Sequence, residues 1–342
     1  MENAAGKEIL ASFGWDNATL NTITSGLINH TWKLHTDSGD YILQRINTTV
    51  FKRPDLIDEN LNRIASWLKV HAPGYLFTAP VKNKEGLSLI QVEGAAYRAF
   101  EFQQHTHTIA VVADAKEAFE AAKQFALFTQ QLEEFPADQL HITLPDFHNL
   151  ALRFNQFETA LRNNNEERFV NAAATAHTLY QMKAIVSRYN QYIAHPDARK
   201  RVMHHDTKIS NVLFNDAGRG VCVIDLDTVM PGYLFSDPGD MFRTYLPPVS
   251  EEETDLDRIH IRKPVLEAIE AGYLDTLKHQ LSSFESANFY LSGEILIYMQ
   301  ALRFLTDYLE NDRYYGEKYP DQNLVRAKNQ LRLLELYRET IR

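Results

Sequence analysis

The sequence predicts an α+β protein in which a small antiparallel sheet precedes a larger, mostly helical part. Short runs rich in β-branched and aromatic residues, separated by turn residues, fill the N-terminal third. From Asp114 onward, apolar residues recur with the period of a helix. Because 342 residues exceed what one hydrophobic core usually supports, we expect two domains, residues 1–105 and residues 106–342.

The first part is expected to combine several strands with one long helix. A proline followed by apolar residues near helical spacing predicts a helix over residues 55–70. Clusters of Asp, Ser, Asn and Gly mark the turns between the strands. The strands are predicted at residues 22–24, 32–35, 41–46, 80–81 and 87–92.

The second part is expected to be helical on both sides of a central hairpin. Asp114 is a suitable N-cap for the first helix, because its carboxylate can accept a hydrogen bond from a backbone N–H of the first turn. The helices are predicted at residues 114–134, 149–162, 165–194, 265–280, 293–309 and 323–342.

The hairpin carries the most informative polar residues. Apolar runs at residues 212–214 and 221–225 flank a turn of Asn, Asp, Ala and Gly. Folding of this hairpin would bring Asn211 close to Asp225, and Asp206 lies just before the first strand. These side chains offer hard oxygen ligands, which Mg²⁺ prefers and usually shares with substrate phosphates.

The spacing of these residues matches the requirements of phosphoryl transfer from ATP. Residues 204–211 read HHDTKISN and fit the pattern H-x-D-x-K-x-x-N. In the kinase template, the Asp is the base, while the Asn and a later Asp bind metal. Asp206 is therefore the expected base, and Lys208 is placed to meet the transferring phosphate. Asp227 points the same way as Asp225 along the strand, so it is either a further metal ligand or a solvated neighbour.

A different metal site is also compatible with the pattern. His204, His205, Asp206 and Asp225 could together bind Zn or Fe, since imidazole and carboxylate suit transition metals. That interpretation leaves Lys208 without a role. His204 is instead expected to pack inside the protein and to hold the loop by hydrogen bonds.

The pattern resembles that of the aminoglycoside phosphotransferase and choline kinase superfamily, which has a small-molecule version of the bilobal protein-kinase fold. The sequence VIDLDTVMPG over residues 223–232, followed by DPGD over residues 237–240, most resembles the N-acetylhexosamine 1-kinase branch. The resemblance implies ATP and Mg²⁺ as cofactors. It also implies a nucleotide-binding lobe at residues 1–105 and a lobe for catalysis and acceptor binding at residues 106–342.

The resemblance further assigns nucleotide contacts in the first lobe. The third strand has no lysine, so Arg45 is expected to neutralise the nucleotide phosphates, with Gln44 as the competing candidate. Glu59 of the following helix is a candidate partner for Arg45. The loop over the phosphates and the hinge beside the adenine would supply the remaining contacts, from Gly26, Asn29, Thr31, Glu101 and Phe102.

The acceptor implied by the resemblance is the anomeric hydroxyl of N-acetylglucosamine or N-acetylgalactosamine. Arg303, Tyr314 and, on weaker grounds, His30 would contact the sugar, and Asp237 and Asp240 would support the catalytic loop from behind. Other acceptors of the superfamily are choline, homoserine and aminoglycosides. A non-catalytic, pseudokinase-like nucleotide-binding module is the alternative from a different functional class.

Composition restricts the cellular context and the partners. The formal net charge of −10 argues against a nucleic-acid-binding surface. No apolar run reaches the length of a membrane span, and the N-terminus lacks the apolar core of a signal peptide. The single cysteine, Cys222, excludes an intramolecular disulfide. We therefore expect a cytoplasmic monomer or homodimer that acts on a small molecule.

Overall fold

The fold combines a five-stranded antiparallel sheet with a larger helical part, as the sequence predicts. The computed structural model describes residues 4–23, 28–163 and 166–342. The strands of the sheet follow the order β1-β2-β3-β5-β4. They are β1 (Thr19–Ile23), β2 (His30–Thr36), β3 (Gly39–Arg45), β4 (Ile90–Val92) and β5 (Ala95–Glu101), and the accompanying helices are α1 (Ala4–Phe13) and α2 (Pro54–His71).

The two faces of the sheet differ in character. One face is apolar and packs against α1, where Ile9 and Trp15 join Leu34 and Leu43 in a small core. Gln44 lies on the opposite face, which we call the cleft face. The strand register places Thr31 and Arg98 directly across from Gln44, on β2 and β5 respectively. The cleft face therefore carries polar side chains toward the helical part.

The helical part is built around one buried helix. Helix α10 is buried on nearly all sides and packs against α4, α7 and α11. The remaining long pair, α3 and α8, packs together at the other side of the hairpin. The helices are α3 (Ala115–Gln131), α4 (Leu150–Arg162), α5 (Glu166–Gln181), α6 (Ala184–Ala194), α7 (Ser236–Tyr245), α8 (Lys263–Leu277), α9 (Ser283–Ala287), α10 (Leu291–Leu309) and α11 (Gln322–Thr340).

Short strands connect these helices and carry the hairpin. Strand β8 pairs with β9 and with β6, and β7 pairs with β10. These strands are β6 (Thr106–His107), β7 (Lys200–Met203), β8 (Val212–Asn215), β9 (Gly220–Val223) and β10 (Met230–Tyr233).

The structure corrects three details of the expected elements. The strand expected at residues 80–81 is only an isolated bridge between Pro80 and Phe100. The predicted helix over residues 165–194 is two helices, α5 and α6, which are separated at Met182 and Lys183. The resemblance places the hinge beside the adenine at residues 97–102, but residues 97–101 belong to strand β5, and the link to the helical part follows Glu101. Among the described residues, no helix combines the length and the apolar character needed to cross a membrane.

The hydrophobic core does not stop at the expected domain boundary. Ile57, Leu61 and Leu68 on the inner side of α2 belong to the same apolar cluster as Phe125 of α3. The boundary near residue 105 therefore stays a prediction, because α2 shares its core with the helical part.

Helices α7 and α10 approach each other closely at a glycine. A Cβ atom added to Gly239 would lie 2.5 Å from the backbone oxygen of Ser292 and 2.8 Å from the side chain of Leu296. Since α7 begins just after β10 and packs beside the hairpin, this contact fixes the position of the helix. Only a residue without a side chain permits such an approach.

We expect Gly239→Ala to lower the free energy of unfolding by about 1–3 kcal/mol, because overpacking forces backbone and side chains apart. Urea denaturation followed by circular dichroism measures the change. Gly74→Ala is the matched control, because its added methyl would meet no atom within 4 Å. Equal stability of the two variants would show that the α7–α10 contact is not tight.

Candidate active site

The hairpin forms as predicted and brings its polar residues to one place. Val212 pairs with Val223, and Leu213 pairs with Cys222. At the open end, the backbone N–H of Ile224 donates to the backbone oxygen of Asn211 at 2.9 Å. Asn211 therefore lies across from the end of β9, beside the residue that precedes Asp225.

Asp206, Lys208 and Asn211 are in direct contact. The Asn211 amide donates to the backbone oxygen of Asp206 at 2.9 Å and to its carboxylate at 3.1 Å. The Lys208 ammonium lies 3.1 Å from the same carboxylate. Burial lowers the pKa of Lys208, but the charges of Asp206 and Asp225 more than offset this and raise it above its usual value. Lys208 therefore stays charged inside the site.

Asp225 lies next to this group in an unusual backbone conformation. Its φ angle is 61°, and His205, just before Asp206, has a φ angle of 69°. Left-handed conformations are rare for non-glycine residues and are found often at functional sites. Burial raises the pKa of Asp225 to about 6, and the negative charges of Asp227 and Asp206 contribute further. Such a carboxylate is stabilised by any cation that binds beside it.

The donor set fits Mg²⁺ better than a transition metal. Within the part of the chain that the structure describes, no three His, Cys, Asp or Glu side chains could bind a metal ion by themselves. An ion bound there would need ligands from a substrate, as Mg²⁺ does when phosphates complete its shell. The Oδ1 atom of Asp227 is buried against the Arg98 guanidinium, so a metal ion bound there would share this oxygen with Arg98.

The two histidines are engaged inside the protein, and the transition-metal interpretation is therefore wrong. The His204 ring contacts the backbone oxygen of Ile224 at 3.0 Å and packs edge-on against Phe125. The His205 ring lies between the Ser236 hydroxyl, at 2.6 Å, and the backbone oxygen of Met230, at 3.3 Å. Neither ring points a free nitrogen toward the aspartates.

Two aspartates of α7 hold the loop that carries Asp206. The Asp237 carboxylate accepts hydrogen bonds from the backbone N–H groups of His204, at 3.1 Å, and His205, at 2.8 Å. The Asp240 carboxylate accepts from the N–H of Thr207 at 2.9 Å. Burial raises the pKa of Asp237 to about 6, and His204 and these N–H groups oppose the rise.

A buried ion pair joins the sheet to the hairpin. The guanidinium of Arg98 contacts the carboxylate of Asp227, and both side chains are 2% exposed or less. The second oxygen of Asp227 accepts from the Asn29 amide at 2.8 Å, and Asn29 in turn accepts from the N–H of Asn47. Asp227 therefore contacts both strand β5 and the segment before β2.

The residues expected around the nucleotide are only partly brought together. Thr31 and Gln44 lie on the cleft face, with the Gln44 amide 3.4 Å from the Thr31 hydroxyl. Arg45 and His30 face each other on the α1 side of the sheet, away from the aspartates. The expected pairing of Glu59 with Arg45 is wrong, because Glu59 pairs with His141 at 2.7 Å.

Glu101 and Phe102, which are expected beside the adenine, lie at one end of the sheet. Glu101 is the last residue of β5, and the N–H of Phe102 donates to the backbone oxygen of Asp40 at 3.0 Å. The Lys33 ammonium lies 3.5 Å from the centre of the Phe102 ring. Gly26 lies outside the described residues.

The residues expected to bind a sugar form an aromatic cluster near the catalytic loop. The guanidinium of Arg303 lies 5.9 Å from the ring centre of Phe147 and 5.7 Å from that of Tyr314, which is 72% exposed. The Phe147 ring packs edge-on against His205 at 6.4 Å. Arg303 is thereby linked to the residue before Asp206, whereas His30 lies on β2 and stacks with Trp32.

Sequence reasoning missed Arg98, Phe147 and His148, whose ring contacts the same Ser236 hydroxyl as His205. Arg98 stands in an ordinary strand, and no short motif surrounds it. Phe147 and His148 lie in a loop between helices, where composition alone indicates only a connection. The alternation of side chains along paired strands β3 and β5 could have placed Arg98 opposite Gln44, if their register had been known.

We expect His205 to make stability depend on pH. Its buried ring keeps a pKa of about 3, since burial disfavours the charged form, whereas an unfolded histidine titrates near 6.5. The unfolded chain therefore binds the proton first, and stability is lost as pH falls below about 6.5. The free energy of unfolding should drop by roughly 2 kcal/mol less in His205→Gln than in wild type between about pH 6.5 and pH 4.5.

Urea denaturation at several pH values measures this difference. His177→Gln, which changes an exposed histidine on α5, is the matched control and should follow the wild-type pH dependence. Parallel curves for wild type and His205→Gln would contradict the assignment of a neutral, buried His205.

Three solved structures illustrate the similarity of the fold. A microcompartment-associated aminopropanol kinase is 16% identical, with a TM-score of 0.64 over 98% of this chain and 96% of that one. Choline kinase LicA from Streptococcus pneumoniae is 13% identical, with a TM-score of 0.55 over 96% and 97% of the two chains. Spectinomycin phosphotransferase APH(9)-Ia, in complex with ADP and spectinomycin, is 14% identical, with a TM-score of 0.54 over 100% and 99%.

The sequence itself matches a family model across most of its length. The model describes a phosphotransferase enzyme family and matches residues 19–274, which include the sheet, the catalytic loop and the hairpin. The matched segment contains Asp206, Lys208, Asn211 and Asp225. The chain belongs to this phosphotransferase enzyme family.

Proposed function

We propose that the protein is an ATP- and Mg²⁺-dependent kinase that phosphorylates the anomeric hydroxyl of an N-acetylhexosamine. The observation that carries the proposal is the contact of Asp206 with both Lys208 and Asn211, beside the end of the strand that leads to Asp225. A base, a cation and oxygen ligands within one loop and hairpin are the parts that phosphoryl transfer needs.

The roles of the residues follow from their chemistry. The Asp206 carboxylate would accept a hydrogen bond from the acceptor hydroxyl, orient it and take its proton late, because the transition state is loose. Lys208 would neutralise charge on the transferring phosphate. Asn211 and Asp225, with Asp227 as a further candidate, would hold Mg²⁺, which offsets the charge of the phosphates when it is bound.

The sheet and its loops are proposed to bind the nucleotide. Asn29 and Thr31 lie at the cleft end of β2, and Glu101 and Phe102 begin the link between the sheet and the helices. The ADP in the spectinomycin phosphotransferase structure supports a nucleotide site in this fold. Under this proposal, residues 1–105 form the nucleotide lobe and residues 106–342 the acceptor lobe.

The environment of Arg303 favours a neutral acceptor over an amine. A quaternary ammonium acceptor such as choline is commonly held on aromatic faces. Here the Arg303 guanidinium already lies over the rings of Phe147, Tyr314 and Tyr315. A second cation in this cluster would be repelled, whereas sugar hydroxyl and amide oxygens can accept hydrogen bonds from the guanidinium.

The alternative acceptors are choline, homoserine and aminoglycosides, and the similar structures include an aminopropanol kinase and a choline kinase. A choline, homoserine or aminoglycoside acceptor would use the same Asp206 and Asp225. A non-catalytic nucleotide-binding module is less well supported, because such a protein does not require the ordered contacts among Asp206, Lys208 and Asn211.

We expect Asp206→Asn to reduce kcat by about 10²–10⁴-fold or more, since general-base catalysis contributes this much. ATP binding should persist, because Asp206 acts on the acceptor hydroxyl. Coupled ADP release measures turnover, and calorimetry measures ATP affinity. Asp216→Asn removes the same charge at an exposed turn of the hairpin and should behave as wild type. Wild-type turnover in Asp206→Asn would refute its role.

We expect turnover with N-acetylglucosamine or N-acetylgalactosamine, and an acid-labile sugar 1-phosphate as the product. Glucose, galactose, choline, homoserine and an aminoglycoside complete the panel. Arg303→Met should raise KM for the sugar by about tenfold or more, as loss of charge-assisted hydrogen bonds predicts. Exposed Arg313→Met is the control. Turnover with choline alone would reject the sugar and the role of Arg303 together, but would leave the kinase assignment intact.

A further inference from the structure

The strand that carries the phosphate-binding lysine in the kinase template has no cation on its cleft face here. In strand β3, Gly39–Arg45, every residue is described, and the side chains at Asp40, Ile42 and Gln44 face the cleft. Arg45 is the only lysine or arginine of β3, and it faces the other way. The position that the template gives to a cation is therefore occupied by Gln44.

A cation reaches this position from the neighbouring strand. Arg98 on β5 is the direct cross-strand partner of Gln44. Its Nε and Nη2 atoms donate to the Gln44 side-chain oxygen at 3.0 and 2.8 Å. This forked contact orients the guanidinium and bends it toward β3. Gln44, which is neutral, therefore positions the charged guanidinium of Arg98.

The third guanidinium nitrogen of Arg98, Nη1, points at Asp227, in the segment that is proposed to bind Mg²⁺. Its Nη1 atom contacts Asp227, yet Nη1 and the facing Asp227 oxygen are both buried without a hydrogen bond of good geometry. Burial raises the pKa of Asp58 on α2, while a hydrogen bond from Ser88 and the charge of Arg98 lower it. The charge of Arg98 thus acts on carboxylates from both α2 and the hairpin.

We propose that Arg98 binds the α- and β-phosphates of ATP, in place of the missing strand lysine, and that Gln44 and Asp227 hold it in position. This inference rests on the proposed ATP-dependent function. A phosphate oxygen beside Asp227 would give Nη1 a second acceptor, since its contact with Asp227 lacks good hydrogen-bond geometry. Arginine suits this task because its planar fork can hold Gln44 with one edge and face a phosphate with the other.

The test compares the affinities of ATP, ADP and adenosine by calorimetry, without acceptor. We expect Arg98→Met to weaken binding of ATP and ADP by about ten- to a hundredfold, as loss of charge-assisted hydrogen bonds predicts. Adenosine affinity should stay within about twofold of wild type, because adenosine has no phosphate. Arg98→Lys should recover part of the loss. Arg45→Met is the matched control on the same sheet and should leave all three affinities unchanged.

Two results would overturn the proposal. One is wild-type ATP affinity in Arg98→Met, and the other is an equal loss for ATP and adenosine, which indicates a structural role. If Arg98→Met fails to fold because Asp227 is left unpaired, Arg98→Met/Asp227→Asn, compared with Asp227→Asn alone, decides by the same criteria. A wild-type protein that binds no ATP would instead reject the proposed function itself, and with it the role of Arg98.

Discussion

The burial of several neighbouring carboxylates is the constraint on which the centre of this protein depends. Two loops and one helix end bring aspartates into a small space, where burial first and like charges second raise the pKa of Asp225. Four of these carboxylates have a dedicated partner that opposes this effect: a cation, backbone N–H groups, or both. The pairs are Asp206 with Lys208, Asp227 with Arg98, Asp240 with Arg243 and Thr207, and Asp237 with the N–H groups of His204 and His205.

The same hydrogen bonds join helix α7 to the loop of residues 204–208, which carries Asp206. The loop has a left-handed residue at His205, a conformation that persists only when its surroundings hold it. Asp237 supplies that hold through two backbone hydrogen bonds, and the packing of Gly239 against α10 fixes the helix from which Asp237 projects. The packing of α7 against α10 thus helps to maintain the strained conformation of the loop.

The parts of the site that the sequence predicts are those set by local spacing. Asp206, Lys208 and Asn211 lie within one turn and hairpin, so their contacts follow from the chain itself. The assignments that failed depend on orientation or on distant pairing. Glu59 pairs with His141 and not with Arg45. Successive side chains on a helix point about 100° apart, so the rotation of α2 about its axis decides which partner Glu59 meets. Likewise, the helix predicted over residues 165–194 breaks at Met182 and Lys183 without proline or glycine, so no local signal marks the break.

Strand register explains why the sequence alone did not predict that Arg98 lies opposite Gln44. Adjacent strands lie about 4.8 Å apart, so a cation on β5 must extend toward β3 to reach the point where a lysine of β3 would lie. Arginine has the length to do this, but a free guanidinium would not stay there. The Gln44 side-chain oxygen, on β3, accepts hydrogen bonds from two N–H groups of the guanidinium and so holds it there. The glutamine in β3 and the arginine in β5 therefore form one functional unit, which becomes visible only when the two strands are paired.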